Sequence, residues 1–183
     1  MYSVFLKQVY FRKKFIKMDE LKEFFISLEF KNVVIVLASG NVLIKSEKDK
    51  QTLQKELSKK LSEHYSYEID VFLKTKEEIK DILSNNPFEV KKGYYNQVFL
   101  CESNSEKRLF HEFSKVNLLN EEEFLIRNNV LYWKFLRLTR LSSNILKLTA
   151  RESLKHIFTL RTIGTLQRVY KAFENLENNQ ILN

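Results

Sequence analysis

The order of apolar and amphipathic segments predicts an α+β protein of two lobes, each ferredoxin-like with an antiparallel sheet. Short apolar runs and helical stripes first follow one another as strand, helix, strand, strand, helix, strand. A similar succession restarts after Pro87, the only proline, which divides the chain into an N-terminal lobe over 1–86 and a C-terminal α+β lobe over 87–183. A length of 183 residues suits one large domain or two small ones with modest cores.

Element by element, "YSVFLKQV" reads as a first strand, and "QVYFRKKFIK" as a basic connection. From Met18 to Glu29, Leu21, Phe24, Phe25 and Leu28 form one apolar stripe at helical spacing, with Asp19, Glu20 and Glu23 in the early turns. "NVVIVLA" and "NVLIK" are strands around Ser39-Gly40-Asn41. Leu53, Leu57 and Leu61 mark a helix from Asp49 to His64, and "EIDVFLK" alternates Ile69, Val71 and Leu73 as a strand. Thr75 and Glu78 make a capping box for a helix that stops near Asn85-Asn86, because Pro87 disfavours helix before it. In the second lobe "YYNQVFLCE" is a strand and "SEKRLFHEF" a helix. "EEFLIR" and "VLYWKFL" form a hairpin about Asn128-Asn129. Helices over 143–156 and 162–176 follow, with a polar tail after Leu176.

Composition excludes several chemistries. Gly40, Gly93 and Gly164 are too far apart for a phosphate-cradling glycine loop, so no cofactor is expected. His64, His111 and His156 have no partner at metal-ligand spacing, and no metal site is expected. No serine occupies a nucleophile elbow. Cys101 is alone, reads as a buried small hydrophobe, and suits a reducing interior. The absence of about 18 consecutive apolar residues removes a spanning helix. A cytoplasmic protein with no membrane partner is expected.

In the split βαβ arrangement the first two strands are parallel, with the third antiparallel between them. The loop after the first strand and the hairpin at Ser39-Gly40-Asn41 therefore share one end of the sheet. That places Lys7, Arg12 and Lys13 near Ser39 and Asn41, and a positive-φ turn accounts for Gly40. Glu77-Glu78 and Glu121-Glu122-Glu123 read as a helix first turn and a solvated strand entrance.

Three stretches carry a family likeness: "KMDELKEFFISLEFKNV" running into "SGNV", then "NNPF", and finally "TLRTIGT". On these the chain resembles a bacterial family known as domain of unknown function 1697. The resemblance implies two ferredoxin-like lobes and brings no established activity. Ser39, Gly40, Asn41 and Val42 match the family's hairpin motif, and Thr159, Arg161 and Thr165 match its late motif. Thr162, Ile163 and Gly164 stand where the late motif has Asn, Trp and Asn, and the first loop lacks the family's glycines.

The net charge of +8 is uneven. Ten Lys and Arg lie between Arg127 and Lys171, against Glu152 alone. Such a run reads as a solvated face or as a surface for phosphates, with Tyr132, Trp133 and Tyr170 as stacking groups where they face outward. For Tyr132 or Trp133 a core position is the stronger expectation.

These readings converge on a non-enzymatic binder of an anionic ligand, nucleic acid or a phosphorylated metabolite. Its candidate contacts are Lys7, Arg12, Lys13, Ser39, Gly40 and Asn41, joined by Thr159, Arg161 and Thr165. Ser39 and Asn41 would donate hydrogen bonds, and Arg161 would make a bidentate contact. The alternatives are an enzyme acting on a small acidic or phosphorylated metabolite in a cleft between the lobes and an interaction module that pairs through a sheet edge or apolar patch.

Overall fold

The computed structural model describes residues 1–7, 10–11, 14–102 and 104–181. They divide into two compact units: Met1–Lys80 with Gln167–Asn183, and Asp81–Leu166. Both sheets are antiparallel, so the α+β class holds.

The first unit opens with β1 (Tyr2–Leu6), two short paired strands β2 (Tyr10–Phe11) and β3 (Lys14–Phe15), and α1 (Met18–Ser27). Then come β4 (Val34–Ile35), β5 (Asn41–Ile44), α2 (Lys50–Tyr65), β6 (Val71–Lys74) and α3 (Lys76–Ser84), whose last residues, from Asp81, count with the second unit. The sheet order is β4-β5-β1-β6. The paired β2 and β3 lie in the stretch expected as plain connection, and the "NVVIVLA" strand shrinks to two residues.

Period-two alternation splits β1: Val4 and Leu6 join the core with Leu21, Phe24 and Phe25 of α1 and Leu53, Leu57 and Leu61 of α2. Ser3 and Phe5, on the opposite face, are also buried, as are Asn41, Leu43 and Phe72. The Thr75–Glu78 capping box closes in both directions, at 2.8 Å and 3.2 Å. Glu78 also receives Lys50 Nζ, which accounts for this acidic position structurally.

The edge strand β6 is protected by α2. Ser62 Oγ accepts the Ile69 N–H at 2.8 Å, Ser58 Oγ the Val71 N–H at 3.1 Å, and Gln54 Oε1 the Leu73 N–H at 3.4 Å. Four helical residues rise about 6 Å, close to the ~6.6 Å of two strand residues, so one helix face can serve alternate strand amides. This edge therefore lacks the row of open donors that strand pairing uses.

The second unit contains β7 (Tyr94–Cys101), α4 (Ser105–Phe113), β8 (Glu123–Arg127), β9 (Val130–Leu136), a 3₁₀ turn (Arg137–Ser142), α5 (Asn144–Thr149), α6 (Glu152–Lys155) and β10 (Phe158–Thr162). Its sheet order is β10-β7-β9-β8. Asn128 and Asn129 both have positive φ, the conformation of a tight two-residue hairpin. Phe99, Leu109, Phe113, Leu131, Trp133, Phe135, Ile145 and Phe158 build its core.

Three expectations are corrected here. The single helix over 143–156 is two short helices, because after Ile145 and Leu148 the next buried apolar residue is Leu154 and the stripe lapses. A strand, β10, occupies Phe158–Thr162, so the expected helix start at Thr162 is the last strand residue. The last helix, α7 (Ile163–Ile181), runs through the expected polar tail. Among the described residues no helix is long and apolar enough to cross a membrane.

Candidate functional site

Asn41 explains why the hairpin needs more than its glycine. Its Nδ2 donates to Val36 O at 2.8 Å and to Ser39 Oγ at 2.9 Å, while Val36 N–H donates to Asn41 O. Both amide hydrogens thus bind the turn together, rather than pointing to a ligand. Gly40 takes φ 66°, a conformation costly for residues with a Cβ, and its carbonyl accepts the Leu6 N–H at 2.8 Å. Leu6 to Gly40 joins the end of β1 to the hairpin, as the topology required. Lys7 follows directly, half-buried, its N–H donating to Asp70 O. Arg12 and Lys13 lie outside the described residues.

The late-motif residues belong to the second unit. Arg161 is expected as a bidentate ligand contact, within a run that reads as a solvated face or a surface for phosphates; in β10 it points inward and only 8% remains exposed. Its Nη1 donates to Thr159 Oγ1 at 2.9 Å and to Leu160 O at 2.8 Å. Burial pulls the guanidinium down to about 10, still cationic at neutral pH. Thr159 is itself buried. Thr165 is capped by Thr162: Thr162 Oγ1 accepts its N–H at 3.1 Å, and the two hydroxyls meet at 2.9 Å.

Elsewhere in the basic run, Tyr132 and Trp133 are both fully buried, so neither serves as a stacking platform. The Tyr132 hydroxyl donates to Ile82 O at 2.9 Å, and burial pushes it up to about 12. Lys134 pairs with Glu123, and Lys155 with Glu152. Cys101 is half-buried rather than core, its thiol donating to Phe99 O.

A different group of cations stands at the 3₁₀ turn. Arg137 lies over the Tyr95 ring at 4.7 Å, and its Nε donates to Tyr94 O. Arg140 is exposed, and so are Lys147 and Arg151 beyond it. Among the described residues none of these four has a carboxylate within ion-pair distance. The Arg137 N–H donates to Gly93 O at 2.9 Å, which brings the exposed Lys91 and Lys92 alongside. Sequence reasoning missed these two lysines; their signal was the "KKG" just before β7, whose first residue pairs with the last of β9.

The far end of the turn is held from below by Glu122, a buried carboxylate and not a solvated strand entrance. Glu122 accepts from Leu119 N–H at 2.9 Å, from Trp133 Nε1 at 3.0 Å and from the Ser143 hydroxyl. Ser143 Oγ in turn accepts the Leu146 N–H, capping α5. The turn is therefore pinned at Gly93 and at Glu122.

A family model described as "Protein of unknown function (DUF1697)" matches residues 1–132. The chain belongs to this family. The Ser39–Asn41 hairpin lies inside the matched stretch of this DUF1697 protein, whereas the 3₁₀ turn and the late motif lie beyond it. Among solved structures it is similar to SP0830, described as a conserved bacterial protein from Streptococcus pneumoniae. The identity is 19%, the TM-score 0.78, and the likeness covers 94% of this chain and 97% of that one. At that identity the shared property is the fold. No curated protein matches the chain.

Proposed function

We propose that this DUF1697 protein is a non-enzymatic module that binds an extended anionic partner through the exposed cations of its second unit. What supports this is that the Gly93–Arg137 backbone bond brings the exposed Lys91 and Lys92 to Arg137, with the exposed Arg140 three residues on in the same turn. Exposed cations on a turn suit a polyanion, since a compact metabolite needs convergent groups in a concave site. Burial of Tyr132 and Trp133 turns the reading away from base stacking and toward charge. The hairpin residues Ser39, Gly40 and Asn41 then act as a structural lock, and Thr165 as part of a helix cap.

Retention on immobilised heparin, a general polyanion, tests this. Wild-type protein should elute at clearly higher salt than an Arg137→Glu/Arg140→Glu variant with an unchanged circular dichroism spectrum. Equal elution of the two proteins would sink the proposal.

A further inference from the structure

The turn that carries Arg137 and Arg140 also carries the two most exposed large apolar side chains of the described residues, Leu138 at 99% and Leu141 at 82%. Spacing of three eclipses them on one side of a 3₁₀ turn, with Arg137 and Arg140 similarly related to each other. Val90, 69% exposed, lies in the segment that Gly93 ties to Arg137. Exposure of this kind is not a frayed loop. The Arg137 side chain is fixed on Tyr95 and Tyr94, Thr139 Oγ1 donates to Leu136 O at 3.0 Å, and Ser143 is fixed on Glu122. Apolar tips are thus held out in water by a braced backbone, at a cost that a covering partner would remove.

We infer that the surface formed by Val90, Lys92, Arg137, Leu138, Arg140 and Leu141 adsorbs to an anionic lipid bilayer. This rests on the anionic-partner reading and names the partner. Charge sets its sign: Lys91, Lys92, Arg137 and Arg140 stand against Glu89, which precedes them in the chain, and Glu121, which accepts the Tyr94 hydroxyl. Shape of the contact favours lipid over a folded protein or nucleic acid. Leucines exposed on a turn need no preformed pocket in a headgroup layer, where cations meet phosphates while aliphatic tips reach the acyl boundary. Nucleic acid offers the phosphates but no apolar layer for the leucines. The expectation of no membrane partner rested on the lack of a spanning run, which bears on crossing a bilayer and not on adsorbing to its surface.

Co-sedimentation with vesicles tests it, using phosphatidylglycerol mixed into phosphatidylcholine against phosphatidylcholine alone. Wild-type protein should partition onto the anionic vesicles, and Leu138→Ser/Leu141→Ser should lower that partitioning at least about tenfold with no change in heparin retention. Because both leucines are exposed, these substitutions leave the core intact, and circular dichroism checks this. Partitioning unchanged in the leucine variant overturns the inference and leaves a partner held by charge alone. No partitioning of the wild type, with heparin retention still sensitive to Arg137→Glu/Arg140→Glu, overturns the lipid assignment only. Insensitivity of both assays to those charge reversals removes the underlying reading as well.

Discussion

The Trp133 indole donates to the buried carboxylate of Glu122 at 3.0 Å, and this pair sits beneath the turn that presents Leu138 and Leu141. A carboxylate taken out of water needs donors, and the Leu119 N–H and Ser143 hydroxyl complete the set. The pair links the core of the second unit to the geometry of its exposed face.

Replacing Glu122 by Ala leaves the indole, an amide and a hydroxyl without their acceptor. The expected loss is about 2–4 kcal/mol of stability, read by urea denaturation, with Glu122→Gln milder because it keeps an acceptor oxygen. A neutral Glu122→Ala would mean that the turn is not braced from below.

Asn41 gives a second prediction. Since its amide hydrogens are both used within the hairpin, Asn41→Ala should cost about 1–2 kcal/mol in the absence of any ligand. Gly40→Ala adds strain at positive φ, of about 1 kcal/mol. Denaturant midpoints that do not move would return Ser39 and Asn41 to the status of ligand contacts.

Alkaline stability should fall through Tyr132. Its proton is held to about 12 in the folded protein, against an ordinary value of 10.0. The folded-state value is raised, so this stabilisation is complete below pH 10 and is lost as pH climbs toward 12. Thermal melts between pH 9 and 11 should therefore drop less steeply for Tyr132→Phe, which starts lower for want of the bond to Ile82. Parallel slopes for the two proteins would contradict this.

Neighbouring amides on β7 separate two kinds of buried polar group. Asn96 Nδ2 donates to Phe88 O and Glu89 O, although its Oδ1, like Gln97 Oε1, is buried without a hydrogen-bond partner. Gln97→Met is expected to be neutral or to raise the melting temperature, and Asn96→Leu to lower it, since only the latter leaves two carbonyls without their donor. The reverse order would show that the Gln97 amide is satisfied.

Local chemistry made much of the fold readable. The Thr75–Glu78 box, the Asn128-Asn129 turn and the leucine stripe of α2 each depend on residues within a few positions of one another. What escaped depends on distant partners. β10 is a five-residue strand whose partner β7 begins with Tyr94, far back in the chain, and the inward turn of Arg161 exists only once that pairing does. Leu138 and Leu141 belong to no element expected from the sequence, and it is the packed unit that leaves them outside. Lys91 and Lys92 reach the site through a single backbone bond that no local pattern announces.

The central claim is that the cations beside the 3₁₀ turn, and not the net charge of the chain, hold the anionic partner. Calorimetric titration of a heparin oligosaccharide over a range of salt measures it directly. Arg137→Glu/Arg140→Glu should weaken binding and flatten the dependence of log K on log salt by about two, about one for each cation lost. Lys22→Glu/Lys31→Glu, the same charge change on exposed residues of the first unit, should leave affinity and slope near wild type. Equal effects from the two pairs of substitutions would show that binding follows net charge alone, and would contradict the account.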